Sequence, residues 1–421
     1  MEEKRITASG IPVYVYQNPA LHGFCLSLYV RAGSMYEAEE NSGETHLIEH
    51  MVFRNINYCM NGGLYPLLDR CGLSFNAETY KEFVQFYIVG AKEHFSDAVT
   101  VFSHLFDPMV LPREQIAPER LRVKSEIRES DEGTSLDYFS DGIVWNGTSL
   151  ARSILGRAGT LDRMGSKFLA NAARRIFSRN NLFFYVTGAV SQEGLEAFCA
   201  ALSFPVAETV PTRSNIAPLP ANFGNRPRTV FLKNSDETVV RFSFDFDSEK
   251  YTNAELMLLY DILFYGECGK VYRELSDKRG LIYSFDPCLE RYRNGGALHL
   301  KYEVRPSNLV RSVEIVCEIL QGLKAGLTDE LEYVLPLYLD NAGLLFDNAE
   351  EFNWNRAYEV HILDCPYPDH AARRAAFASV SPQRISEIAR EIFRTCNLTL
   401  ALKGNRQIKL DQLVKITDVL G

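Results

Sequence analysis

Two histidines stand four residues apart in the stretch GETHLIEHMVF, residues 43–53, with a glutamate immediately before the second. On a helix, His46, Glu49 and His50 fall within an arc of roughly 100° on one face. Two imidazoles one turn apart can share a zinc ion at about 2.0–2.1 Å. A carboxylate between them can reach the position where a water would sit. Zinc lowers the pKa of that water toward about 7, and the carboxylate can take its proton. The order H-x-x-E-H is the reverse of HExxH and is the inverzincin arrangement. Taken alone, the five residues also read as a solvated helix face with chance histidines.

Such a site needs a helix and a third ligand. Asn41, with Glu44 three residues later, reads as an N-cap and its partner. Leu47, Ile48, Met51 and Val52 then recur at helical spacing. Downstream, APERLRVKSEIRESDEG places Glu119 and Glu126 seven residues apart, on one face of a helix expected across the 113–130 region. Either could be a ligand while the other orients one. Pro118 is expected to start that glutamate helix. The competing reading is an exposed acidic face among Arg120, Arg122, Lys124 and Arg128.

The elements around these helices read as mixed α and β. GIPVYVYQNP and GFCLSLYVRAGS alternate with period two, and Phe24, Leu26, Leu28 and Val30 share a face. NAETYKEFVQFYIVGA and NLFFYVTGAV read as further strand regions. Helices are expected from about Glu93 to Leu105, from about Gly165 to Phe177, and over SQEGLEAFCAAL. The Pro-, Asn- and Ser-rich segment 204–228 reads as a linker. Beyond it TVFLKNSDETVVRFSFDFD reads as paired strands, followed by a helix from about Asn253, a strand in GALHLKYEVRP, and helices from 307. The expected organisation is 1–203, a linker 204–228, and 229–421. Both halves are of similar length and both start with strands, which suggests a structural duplication.

Bulk properties narrow the function. At ~100–200 residues per domain, 421 residues imply two to four domains. A net charge of −9 and a pI of about 5.5 argue against a general nucleic-acid binder. The tyrosines and phenylalanines fall at strand and helix-core spacing, so they read as packing and not base stacking. Nine scattered cysteines without a CxxC fit buried free thiols in a reducing compartment. No stretch approaches the ~18 apolar residues of a membrane span. The first residues show neither a signal nor a transit pattern, so the expected address is the cytoplasm.

HLIEHMVF, with Glu126 lying 76 residues after His50 inside ERLRVKSEI, resembles the M16 metallopeptidases: insulinase, pitrilysin and the mitochondrial processing peptidase. The spacing matches the short, processing-peptidase-like branch. LYVRAGSMYE resembles that family's strand before the zinc helix, and FNAETYKEFVQFY its edge-strand segment for extended substrate. LARSILG resembles the stretch after the zinc half-site. NLFFYVTGAV resembles the strand closing the first domain, and ELSDKRGLIYS its second-domain counterpart.

The resemblance implies an α+β fold of two similar domains, each an antiparallel or mixed sheet packed against helices. It implies one zinc ion held by His46, His50 and Glu126, with Glu49 as general base and Glu119 orienting from behind. Asn76 and Ala77 would lie on the edge strand that takes substrate as an added β-strand. The activity implied is zinc-dependent endopeptidase cleavage of peptides or unfolded segments, such as leaders of precursor peptides. Members of this size dimerise around a chamber.

One position departs from the family. An arginine seven residues before Tyr283 would hold substrate with it, but Ser276 stands there, with Arg279 four earlier and Arg273 ten earlier. A serine cannot make a guanidinium's paired contacts. Arg279 substitutes, a partner chain supplies the pair, or substrate binding is weak. The gap favours a heterodimer with a zinc-less paralogue over a homodimer. The alternative from another class is a non-catalytic assembly or peptide-binding subunit. Such relatives usually lose the His/Glu set, and all four residues are present here. A lyase using the same pentapeptide on a much shorter chain is disfavoured by the length and by the second half.

Overall fold

The computed structural model describes residues 2–130, 135–204, 206, 229–233, 238–404 and 410–421. The expected linker 204–228, apart from residues 204 and 206, lies outside the described residues. Two compact units emerge. One comprises Met1–Asp131, Arg152–Ala217 and Gly343–Ile362, and the other Glu132–Ala151, Pro218–Ala342 and Leu363–Gly421.

Alternation builds the first sheet. Its strands are β1 (Glu3–Ile6), β2 (Pro12–Gln17), β3 (Gly23–Val30), β4 (Ser74–Thr79), β5 (Val84–Ala91) and β6 (Leu182–Gly188), in the order β1-β2-β6-β3-β5-β4. Phe24, Leu26, Leu28 and Val30 of β3 are fully buried on the face that carries the helices. There they meet Leu47, Ile48, Met51 and Ile56 of the histidine helix, Glu44–Cys59. Only the β2–β6 pairing is parallel.

The second unit repeats this plan. Its strands are β7 (Thr229–Lys233), β8 (Val239–Phe246), β9 (Phe285–Tyr292), β10 (Gly295–Glu303) and β11 (Leu398–Gly404), ordered β7-β11-β8-β10-β9. Again the first pairing, β7 with β11, is parallel and the rest are antiparallel. The duplication suggested by the two halves is therefore visible in the topology. One expectation is corrected. β7 and β8 do not pair with each other, because β11 lies between them, as β6 lies between β2 and β3. Alternation fixes which face a strand buries, but it does not name its neighbour.

Each sheet's other face is covered by a segment from the opposite half of the chain. Helix Ala349–Arg356 belongs to the first unit, and helix Leu136–Val144 to the second. A single cut between 203 and 229 therefore does not describe the units. The fully buried Asn353 anchors the first of these helices. Its Nδ2 donates to the carbonyls of Cys25 at 3.3 Å and Tyr185 at 3.0 Å, and Tyr29 donates to its Oδ1 at 3.1 Å. In the second unit Arg241 donates to Asp141 at 2.7 Å.

All nine cysteines are free thiols. The expectation that they are buried holds for Cys25, Cys71, Cys317 and Cys365; Cys59 and Cys199 are half-buried, and Cys268, Cys288 and Cys396 are exposed. Cys288 lies on the edge strand β9 and Cys396 in a short turn. Among the described residues no helix is long and apolar enough to cross a membrane.

Asn353→Ala removes the donor and acceptor that tie the exchanged helix to its sheet and leaves the Tyr29 hydroxyl buried without that partner. The expected cost is about 1–3 kcal/mol, read as a lower urea midpoint. Tyr29→Phe, which deletes one of those bonds, should cost about 1 kcal/mol.

Candidate metal centre

The histidine helix begins at Glu44 and not at a cap on Asn41, which lies in a separate short turn. Its N-cap is Gly43, in the left-handed region at φ 90°. No side chain fits there, because a Cβ would lie 2.9 Å from the Cα of Gly156. The cap comes from farther back. Glu37, itself buried, accepts from the Gly43 N–H at 2.7 Å and the Thr45 N–H at 2.8 Å. These are two of the donors that a helix start leaves open. Burial pushes the Glu37 carboxyl up to about 7 although both bonds oppose the shift. Arg152 donates to the backbone carbonyls of Met35 and Glu37, fixing the turn that presents this carboxyl.

The glutamate helix runs Arg113–Glu129 with Pro118 inside it, so the expectation that it starts at Pro118 is corrected. Proline removes one backbone bond near the helix start, yet Ile116, Glu119 and Val123 are buried on one face and hold the turn in place.

The two helices bring their polar faces together. His50 Nε2 lies 3.4 Å and His46 Nε2 3.8 Å from Glu126 Oε2. One ligand atom each from His46, His50 and Glu126 falls within 4.8 Å of the others. The imidazole rings stand nearly perpendicular, at 81°, with centroids 4.8 Å apart. Burial, and then the neighbouring His50, pushes His46 down to about 4. Near neutral pH its imidazole is therefore uncharged, and its Nε2 can present a lone pair toward a carboxylate oxygen. No hydrogen bond joins that nitrogen to that oxygen, whereas a divalent cation between the three donors would satisfy all of them. The residues fit a zinc-type ion.

The surrounding groups orient this set. Glu119 Oε2 lies 3.2 Å from His50 Nδ1, so an Nδ1–H donated to it leaves Nε2 as the electron-pair donor. Arg54 donates to Glu119 Oε1 at 2.6 Å. Burial alone would raise the Glu119 carboxyl, but Arg54, His50 and Arg122 override it and hold it below its usual range. Glu49 accepts from the Thr79 hydroxyl at 2.6 Å. Burial pushes its carboxyl up, against Thr79 and His50, which pull it down.

Thr79 ends β4, the last strand of its sheet. Asn76 and Ala77 lie on this strand, which among the described residues pairs only with β5, leaving its other edge without a strand partner there. Arg279 and Tyr283 belong to the second unit. Tyr283 is 97% exposed. Arg279 Nη1 donates to Glu274 Oε2 at 2.6 Å and to the Glu274 carbonyl at 2.8 Å, within its own turn. Arg273 pairs with Glu330 at 2.5 Å.

Sequence reasoning missed Arg54, Thr79 and Glu37. Arg54 continues the four-residue spacing of His46 and His50 and could have been found from it. Thr79 and Glu37 carry no local signal, because tertiary approach alone brings them in.

Two family models match the chain. Insulinase (Peptidase family M16) covers residues 13–158, and the Peptidase M16 inactive domain covers 166–332. An uncharacterized zinc protease of Streptomyces coelicolor is 22% identical over 404 residues, 91% of this chain and 85% of the relative. One from Rickettsia felis is 24% identical over 296 residues, 68% of this chain and 70% of that protein. The human mitochondrial-processing peptidase subunit beta is 26% identical over 198 residues, 46% of this chain and 40% of the subunit. In fold, a protease from Helicobacter pylori superposes with a TM-score of 0.85 at 16% identity, over 96% of this chain and 99% of the other.

Glu119→Gln should keep the fold and lower zinc affinity about 10–100-fold. Chelator competition against the unsubstituted protein measures this.

Proposed function

From the premise that the chain belongs to peptidase family M16, the insulinase family, we propose that it is a zinc-dependent endopeptidase acting on extended peptides. The observation that carries the reading is the convergence of His46, His50 and Glu126 beside a half-buried Glu49 and an open strand edge. Zinc, when bound there, would supply Lewis acidity for a water and for the scissile carbonyl.

The chain's own residues would do the rest. Glu49 takes the proton of the attacking water and delivers it to the leaving amine. Burial raises its carboxyl pKa above the usual carboxylate range, the direction that favours a group able to accept a proton. Thr79 holds one oxygen of that carboxylate by a hydrogen bond of 2.6 Å. Asn76 and Ala77 offer backbone groups along β4, so a peptide could bind as an added strand. That mode satisfies main-chain donors and acceptors without reading sequence, and it requires an unfolded or extended segment. Peptides and leaders of precursor proteins are therefore the substrate class.

The gap in the Arg/Tyr pair supports a two-chain enzyme. Ser276 stands where the arginine is expected, and Arg279 is engaged by Glu274. On this reading a second chain of the same family, without the zinc set, supplies the substrate-holding arginine. A homodimer remains the competing assembly, and size analysis of the purified chain with and without such a paralogue separates the two.

Glu49→Gln should retain zinc while cleavage of an internally quenched peptide falls about 10²–10⁴-fold. Turnover at the unsubstituted rate would remove Glu49 from the mechanism.

A further inference from the structure

The outer face of the second sheet carries a row of polar side chains. In register across four strands stand Thr399 of β11, Ser243 of β8, His299 of β10 and Cys288 of β9. His299 is only 1% exposed. Its Nδ1 lies 2.8 Å from Ser243 Oγ, which lies 3.3 Å from Ser140 Oγ on helix Leu136–Val144. An Nδ1–H donated into this chain leaves Nε2 as a bare electron pair. That nitrogen is buried and has no hydrogen-bond partner.

The groups it faces are acidic. Glu290 Oε2, on β9, is 3.7 Å away, beyond hydrogen-bond reach. Asp141, on helix Leu136–Val144, completes a set in which one ligand atom from each of Asp141, Glu290 and His299 lies within 4.8 Å of the others. Both carboxylates are held in place. Glu290 accepts from Trp145 Nε1 at 3.2 Å and from the Tyr292 hydroxyl at 3.2 Å, and Asp141 accepts from Arg241 at 2.7 Å. A buried imidazole with its second nitrogen fixed by a hydroxyl, facing two oriented carboxylates, is the donor set of a divalent transition ion.

We propose that His299, Glu290 and Asp141 form a second zinc site, separate from the His46/His50/Glu126 set and independent of the peptidase reading. The imidazole selects against magnesium and calcium, and the Cys288 thiol opposite His299 adds a soft atom nearby. The ion would clamp helix Leu136–Val144 onto the β9–β10 hairpin. That helix is the segment the second unit takes from the first half of the chain.

The test uses the full chain carrying His46→Ala and His50→Ala, stripped of metal and dialysed against zinc. One tightly bound zinc per chain is expected, lost on adding His299→Ala. A zinc-free double variant of native circular dichroism overturns the proposal. A second readout does not depend on that variant. The chain has two tryptophans, Trp145 and Trp354, so Trp354→Phe leaves the one bonded to Glu290. Co²⁺ should then quench its fluorescence saturably. Quenching should persist in His46→Ala, disappear in His299→Ala, and need at least about tenfold more Co²⁺ in Glu290→Gln. Unquenched fluorescence, or quenching unchanged by His299→Ala, contradicts the site.

Discussion

Electron pairs on two imidazoles and a carboxylate repel one another unless positive charge lies between them. In the first unit two helices, far apart in sequence, press such a set together at 3.4–3.8 Å. Burial keeps His46 from resolving the conflict by protonation, because it pushes that imidazole well down. The rest of the unit serves to maintain this convergence. Glu37 closes the start of the histidine helix, the Gly43–Gly156 contact sets its depth, and Arg54 and Glu119 fix the His50 ring.

The two sheets share one plan, apart from the extra β1 in the first. Both bury polar groups on the outer face under the exchanged helix, while the first unit carries a second polar cluster on its other side. In the first unit the histidine helix, whose apolar side packs on the core face, carries the polar cluster. In the second, the helices bury an apolar core and the polar groups collect on the outer face, under the exchanged helix. One scaffold thus carries different side-chain chemistry in its two copies. The exchanged helices also make the halves interdependent. Asn353, Ser140 and Asp141 find hydrogen-bond partners in the other half of the sequence.

Much of this was legible in the residues. The His46–Glu49–His50 face follows from helical spacing, and the burial of Phe24, Leu26, Leu28 and Val30 follows from alternation. Local signals failed where long-range packing overrode them. Asn41 is a good cap by type, but Glu37 reaches the helix first through a fold in the preceding turn. Pro118 is a good helix start by type, but burial of Ile116 and Glu119 draws the preceding residues into the helix. β7 and β8 look like a hairpin, yet β11, from near the end of the sequence, separates them. In sequence His299 stands isolated, because its companions come from another strand and a distant helix.

The most direct measurement is anomalous diffraction at the zinc absorption edge from crystals of the unsubstituted chain. A peak is expected within about 2.0–2.2 Å of His46 Nε2, His50 Nε2 and a Glu126 carboxylate oxygen. A zinc-replete crystal with no peak between those three side chains would contradict the zinc reading.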